Sequence, residues 1–212
     1  MLRYVGTLVF AFSAVALGSA GDISKVNGSI DVAAGQQAGD VSTVNGSVTV
    51  GSGGQVRDVE TLNGSVRLET RAAARAVETV NGSIVIAEDA VVSEGVNAVN
   101  GKLTLRRGAR VEGRLENVNG DFVLEGATVG GGIGTVSGDV LVGAGSRVEN
   151  GIHVEKSRGW SWNKSERPRV TIESGAVVNG TLEFERDVDL YLGAGAVVGP
   201  VAGVAPQRHS LP

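Results

Sequence analysis

His153 and His209 are the only histidines in a chain of 212 residues that has no cysteine. Neither lies at zinc-ligand spacing from a second His or Cys. No Ser, His and acid set is spaced to meet by any rule the sequence provides. Gly130-Gly131-Gly132 lacks the lysine and the strand-to-helix setting of a phosphate loop. These residues therefore point to no catalytic group, no metal and no cofactor. Carboxylates do recur, with Asp22, Asp40 and Asp58 standing 18 residues apart. In one column they would repel unless solvent or a cation lay between them. The alternatives are a solvated edge, tempered by Lys25 and Arg57, or a calcium-binding edge.

The richest recognition chemistry lies between Lys156 and Arg169, which reads KSRGWSWNKSERPR. It holds both tryptophans, five basic residues and one acidic residue. Aromatic rings interleaved with cations suit a glycan, an anionic headgroup or a partner protein. Arg158, Trp160, Trp162, Lys164 and Arg167 are the candidate partner-binding residues. The other reading is that the Trp pair folds back over the flank of the domain.

What must position these residues is a repeat. Val26-Asn27-Gly28-Ser29-Ile30 returns at Asn45, Asn63 and Asn81, then more loosely at Asn100, Asn119 and Ser137. Counted from Asn27, the steps are 18, 18, 18, 19, 19 and 18 residues. A period this regular signals a repeat architecture. Asn-Gly between β-branched residues reads as strand, corner, strand, and a hairpin within each unit would also fit it. A finer period of six decides for a coil: Val44, Val50, Val56, Leu62, Leu68, Ala74, Val80, Ile86 and Val92. The series resumes at Val99, Leu105 and Val111, and again at Val118 and Leu124. Six residues per side and three sides predict an all-β, single-stranded parallel β-helix, a triangular β-solenoid of about nine coils. Each strand should bury one residue of this series. The apolar residues Ile23, Val41, Val59, Val77, Val96, Leu115 and Ile133 open successive coils. Extra residues near Glu94 and Gly113 should fall at corners, where a bulge is tolerated.

Equal positions should stack at about 4.8 Å. Asn27, Asn45, Asn63, Asn81, Asn100 and Asn119 then form a column, whose amides would bond along the stack if they point inward. Alternatively, Asn merely tolerates the corner conformation. The role is structural on either reading.

Residues 1–20 carry Arg3, an apolar run from Tyr4 to Leu17 and small residues at Gly18-Ser19-Ala20. They read as a secretory signal cleaved near Ala20, with no transmembrane segment after its removal. Export places the chain in the periplasm or at the cell surface. The solenoid is expected over residues 21–203, with an inserted loop at 156–169 and a flexible tail at 204–212. Pro200 should end the sheet, because proline supplies no ladder donor. A formal net charge of −4 argues against a general nucleic-acid binder.

Four pieces carry a family resemblance: Gly108-Ala109-Arg110-Val111-Glu112-Gly113, Gly126-Ala127-Thr128-Val129-Gly130-Gly131, Gly175-Ala176-Val177-Val178-Asn179-Gly180 and Gly195-Ala196-Val197-Val198-Gly199. Through them the C-terminal half resembles the bactofilins, a family of bacterial polymer-forming proteins. The Asn-Gly-Ser half looks more like adhesin-like repeat proteins of bacterial envelopes. The bactofilin resemblance implies a right-handed β-helix that polymerises end to end without nucleotide. The chain departs from that family in its export signal and its Trp-bearing loop. Hexapeptide acyltransferases are similar in repeat alone, and β-helical polysaccharide lyases and hydrolases usually have longer coils.

The expected function is non-enzymatic: an exported structural or scaffolding solenoid that self-associates through its ends in the bacterial envelope. The alternative is a module that binds a cell-wall or outer-membrane component through Trp160 and Trp162. A carbohydrate-active enzyme is the third reading.

Overall fold

The computed structural model describes residues 21–156 and 167–211. Strands lie in three parallel sheets, and there is no helix among the described residues. The first sheet has ten strands, from Ile23–Asn27 to Val201–Gly203. The second also has ten, from Ile30–Val32 to Gln207–Ser210. The third has seven two-residue strands, from Ala73–Ala74 to Val197–Val198, and the bridges Gln37↔Gln55↔Ala73 prolong it. Each strand pairs with its equivalent one coil on, as in Val41↔Val59 and Val48↔Val66. The chain is thus a triangular β-solenoid of about nine turns. Hairpin pairing within a unit is ruled out, because every ladder is parallel and joins successive coils.

Side chains alternate across each strand, and the alternation corrects the six-residue series. In Val41–Asn45, Val41 and Thr43 are buried while Ser42 and Val44 face outward. Hence Val44, Leu62, Val80, Val99 and Val118, expected in the core, are exposed, at 44% for Leu62. The first sheet is anchored instead by Val41, Val59, Val77, Val96, Leu115 and Ile133, all but fully buried. The rest of the series does point inward. Val50, Leu68, Ile86, Leu105 and Leu124 line the second sheet, and Val56, Ala74, Val92 and Val111 the third. Away from the ends, first- and second-sheet strands bury at least two side chains each, because a strand of three or more residues sends two to the same face. Burying one Val or Leu contributes about 1.5–3 kcal/mol, so the narrow core is stabilised coil by coil.

Corners absorb the irregularities. Ala74 pairs with Val92 and Val77 with Val96, so two linking residues in one coil face three in the next. The extra residue near Glu94 therefore sits between the third and first sheets. The insertion interrupts the opposite corner, between the first and second sheets. Ile152–Val154 and Arg169–Ile172 are separated by fourteen residues, where Ile133–Thr135 and Val140–Val142 are separated by four. The coil still closes in register, with Val154 on Phe184 and Val170 between Val140 and Leu190.

The end of the chain also differs from expectation. Pro200 does not stop the sheet, since Val201–Gly203 follows as another strand and the Pro200 carbonyl accepts from the Leu182 N–H. Proline lacks a donor but keeps its acceptor. Residues 204–212, expected as a flexible tail, include the strand Gln207–Ser210, which pairs with Asp189–Leu192. Its second residue, Arg208, occupies the register position that Val140, Val170 and Leu190 fill with apolar side chains. Ser210 does the same after Val142, Ile172 and Leu192.

Candidate functional site: the Asn-Gly-Ser corner and its face

Three hydrogen-bonded columns converge where the first sheet turns into the second. The asparagines form one. The Nδ2 groups of Asn45, Asn63, Asn81 and Asn100 each donate to the Oδ1 one coil below at 3.0 Å, and Asn119 donates to Asn100 at 3.2 Å. The column lies on the outer surface, not inside, because the preceding Val already faces out and the chain then turns. Ser hydroxyls form a second column. Ser29, Ser47, Ser65 and Ser83 accept from the backbone N–H of the residue one coil above, at 3.3 Å. These serines are corner residues tied to backbone.

The third column is buried and was not legible as a hydrogen-bonding feature. Thr43, Thr61 and Thr79 point inward and donate from Oγ1 to the carbonyls of Gly28, Gly46 and Gly64, at 3.0–3.1 Å. Asn117 takes the same position two coils later, donating from Nδ2 to Gly101 at 2.6 Å. A buried carbonyl left unpaired costs free energy, and this column supplies the missing donor. The signal was present in the sequence as Thr43, Thr61 and Thr79 at the same strand position of three successive units.

At Gly46, Gly64 and Gly82 close stacking rather than turn geometry requires glycine, while Gly28, Gly101 and Gly120 take positive φ. A Cβ on Gly64 would overlap the Gly46 carbonyl oxygen, and one on Gly82 would overlap that of Gly64. None of the six asparagines has positive φ. Close stacking of one coil on the next excludes a side chain, as it does along other crowded axes.

Beside the corner runs an outward apolar stripe of Val26, Val44, Leu62, Val80, Val99 and Val118. An outer column that includes Glu60, Glu78 and Glu116 flanks it. Val44, Leu62, Val80 and Val99 of the stripe, with Glu60 and Glu78, line a shallow groove on the first sheet.

At the opposite edge, guanidinium groups resolve the carboxylate column. Arg57 contacts Asp40 through Nε and Asp22 through Nη2, both at 2.9 Å. Arg75 bridges Asp58 and Glu94. The Arg57 hydrogen bond holds the Asp40 carboxyl below the usual carboxylate range and raises the guanidinium in turn. The hydrogen bond that Arg75 donates to Asp58 likewise raises the Arg75 guanidinium. Among the described residues, no group of three His, Asp or Glu could hold a metal ion.

Of the recognition residues, Arg158, Trp160, Trp162 and Lys164 lie outside the described residues, as does the signal at 1–20. Arg167 is placed, with its guanidinium 3.8 Å from Asp189. His153 lies on the first sheet, 3.2 Å from Glu185. His209 lies on the second, stacked on Tyr191 with ring centroids 4.5 Å apart. The two histidines are therefore on different walls. Among the described residues, no helix is long and apolar enough to cross a membrane.

The fold and the corner define a class, the triangular β-solenoid with an external amide ladder. No protein family, curated protein or solved structure matches the chain.

Proposed function

We propose that this chain is a non-enzymatic, exported structural rod of the bacterial envelope that self-associates through its ends. The observation that carries the reading is the one-sided pairing of the terminal strands. Among the described residues, Ile23–Asn27 and Ile30–Val32 at the N-terminal edge, and Val201–Gly203 and Gln207–Ser210 at the C-terminal edge, each pair with one strand only. Unpaired strand edges invite addition of another strand. Each end also carries a charge in an inward register position: Lys25, aligned with Thr43, at the first and Arg208, aligned with Leu190, at the other. An inward-pointing charge is a known guard against edge-to-edge pairing. Association is therefore limited, and a short stack is favoured over an open filament. The bactofilin resemblance supports self-assembly, while its end-to-end polymers are the outcome that the guarded edges disfavour.

Light scattering and electron microscopy of the purified chain from residue 21 test the proposal. Rods of one or two solenoid lengths are expected, with the longer form growing as concentration rises. Strictly monomeric particles across concentration and salt would overturn self-association, and long filaments would overturn the guarded ends. Cell fractionation should find the protein in the periplasm or at the surface.

A second reading is a module that binds cell-wall or outer-membrane material. The exposed apolar stripe favours it, because the insertion that bears Trp160 and Trp162 leaves the solenoid at the corner beside that stripe. Changing both Trp to Ala should abolish retention on isolated envelope material and leave the strand signature unchanged. Unaltered retention would exclude this reading.

A further inference from the structure

Every Asn-Gly pair is a latent reactive unit. The glycine nitrogen can attack the asparagine side-chain carbonyl carbon, because glycine offers no steric hindrance. That nitrogen loses its proton to water or base as the N–Cγ bond forms. The tetrahedral intermediate then expels ammonia and leaves a cyclic succinimide. Water opens the ring at either carbonyl, giving Asp or isoaspartate. Nothing is oxidised or reduced, and water is the only co-reactant.

The chain carries eight such pairs. Asn150-Gly151 and Asn179-Gly180 stand between the third and first sheets, where their side-chain amides donate to the Gly130 carbonyl and to Glu149. The other six form one column, and the coil stack treats them unequally. For Asn45, Asn63, Asn81 and Asn100, the side-chain amide donates to the coil below and accepts from the coil above. Two bonds hold Cγ in place. The following glycine N–H is also committed, because Gly46, Gly64, Gly82 and Gly101 each donate to the Asn carbonyl one coil above, at 3.0–3.2 Å. Both the electrophile and the nucleophile are clamped. Asn27 sits at the foot of the column. Its Oδ1 accepts from Asn45, and the Gly28 N–H donates to the Asn45 carbonyl at 2.8 Å.

Asn119 stands at the head, and there the clamp opens on both sides. The next coil presents Ser137 in place of a seventh asparagine, so nothing above donates to the Asn119 Oδ1 among the described residues. Its one side-chain bond, to Asn100, is the longest of the ladder at 3.2 Å. The Gly120 N–H makes no backbone hydrogen bond among the described residues. Asn119 is exposed and Gly120 half-buried, so water reaches the pair.

We infer that Asn119-Gly120 is a built-in modification site, where the folded protein deamidates spontaneously while the five pairs below it are protected. The new carboxylate has no N–H to donate, so Asn100 loses its partner and the ladder shortens by one rung.

Peptide mapping by mass spectrometry tests this on the full chain aged at mildly alkaline pH, with parallel samples in concentrated urea. In the native samples, conversion to Asp and isoaspartate should appear at Asn119 before the other five asparagines of the column. Two missing hydrogen bonds correspond to a reaction roughly thirtyfold faster than at Asn63, with Asn27 in between. In urea the six sites should converge to similar rates. Equal rates along the column in the native protein, or an earlier reaction at any other asparagine of the column, would overturn the inference. So would an Asn119 lead that persists undiminished in urea, since local sequence rather than the ladder would then explain it.

Discussion

At the scale of single residues, the corner motif illustrates how a correct pattern can have an unforeseen cause. Asn-Gly was legible as a corner because its types and spacing say so. The reason for the glycine was not, since it depends on the coil beneath. Gly64→Ala should therefore destabilise the protein by about 1–3 kcal/mol, the usual cost of forcing extra volume into a tight contact. Chemical denaturation would measure it. Asn63→Ala breaks two ladder bonds and should cost about 1 kcal/mol after solvent competes for the exposed partners. Asn119→Ala, which breaks one, should cost less in the same assay. The acidic column was legible as a problem and its solution only in part. Arg57 was named as a neighbour, but its reach to two coils at once follows from stacking. Because the Asp40 carboxyl is held low in the fold, its contribution is complete above the unfolded value of about 3.9. It is lost as pH falls from there through the folded value. Thermal unfolding should thus show Arg57→Gln destabilising at neutral pH and nearly silent well below that range. An equal penalty at all pH values would contradict the assignment.

At the scale of strands, alternation governs what the six-residue period concealed. The series that revealed the solenoid mixes two kinds of position, because Val44 and Val50 lie six apart yet face opposite ways. A run such as Val-Ser-Thr-Val contains the information: with Val41 inside, Val44 must be outside. Composition hid it, because Val reads as core and Thr as surface. Here Thr43 is inside at 5% exposure, since its hydroxyl satisfies a corner carbonyl. Thr61→Val keeps the shape and removes the donor, leaving the Gly46 carbonyl short of one partner. A loss of about 1 kcal/mol is expected on denaturant titration. A neutral or stabilising result would show that the inner Thr column only fills space.

For the whole molecule, length and class were the most legible features, because a repeat states its own geometry. About nine coils at strand spacing make a rod on the order of 40 Å long. The end was misread because prolines were weighed for the donor they lack and not for the acceptor they keep. Stability in such an array is close to a sum of coil and interface terms. Deleting residues 46 to 63 removes one full coil and joins Asn45 to Gly64. The shortened chain should keep its strand signature by circular dichroism, and its scattering profile should show a rod shorter by one layer. Loss of folding would show that the coils are not interchangeable.

The register across the insertion has an engineering meaning. Fourteen residues occupy a junction that takes four in the coils on either side, yet the layers above and below stay aligned. That corner works as a socket. Foreign peptides of varied length, exchanged for residues 157 to 166, would be displayed from a fixed height on a stiff post, and the same junction one layer lower could be opened to receive another.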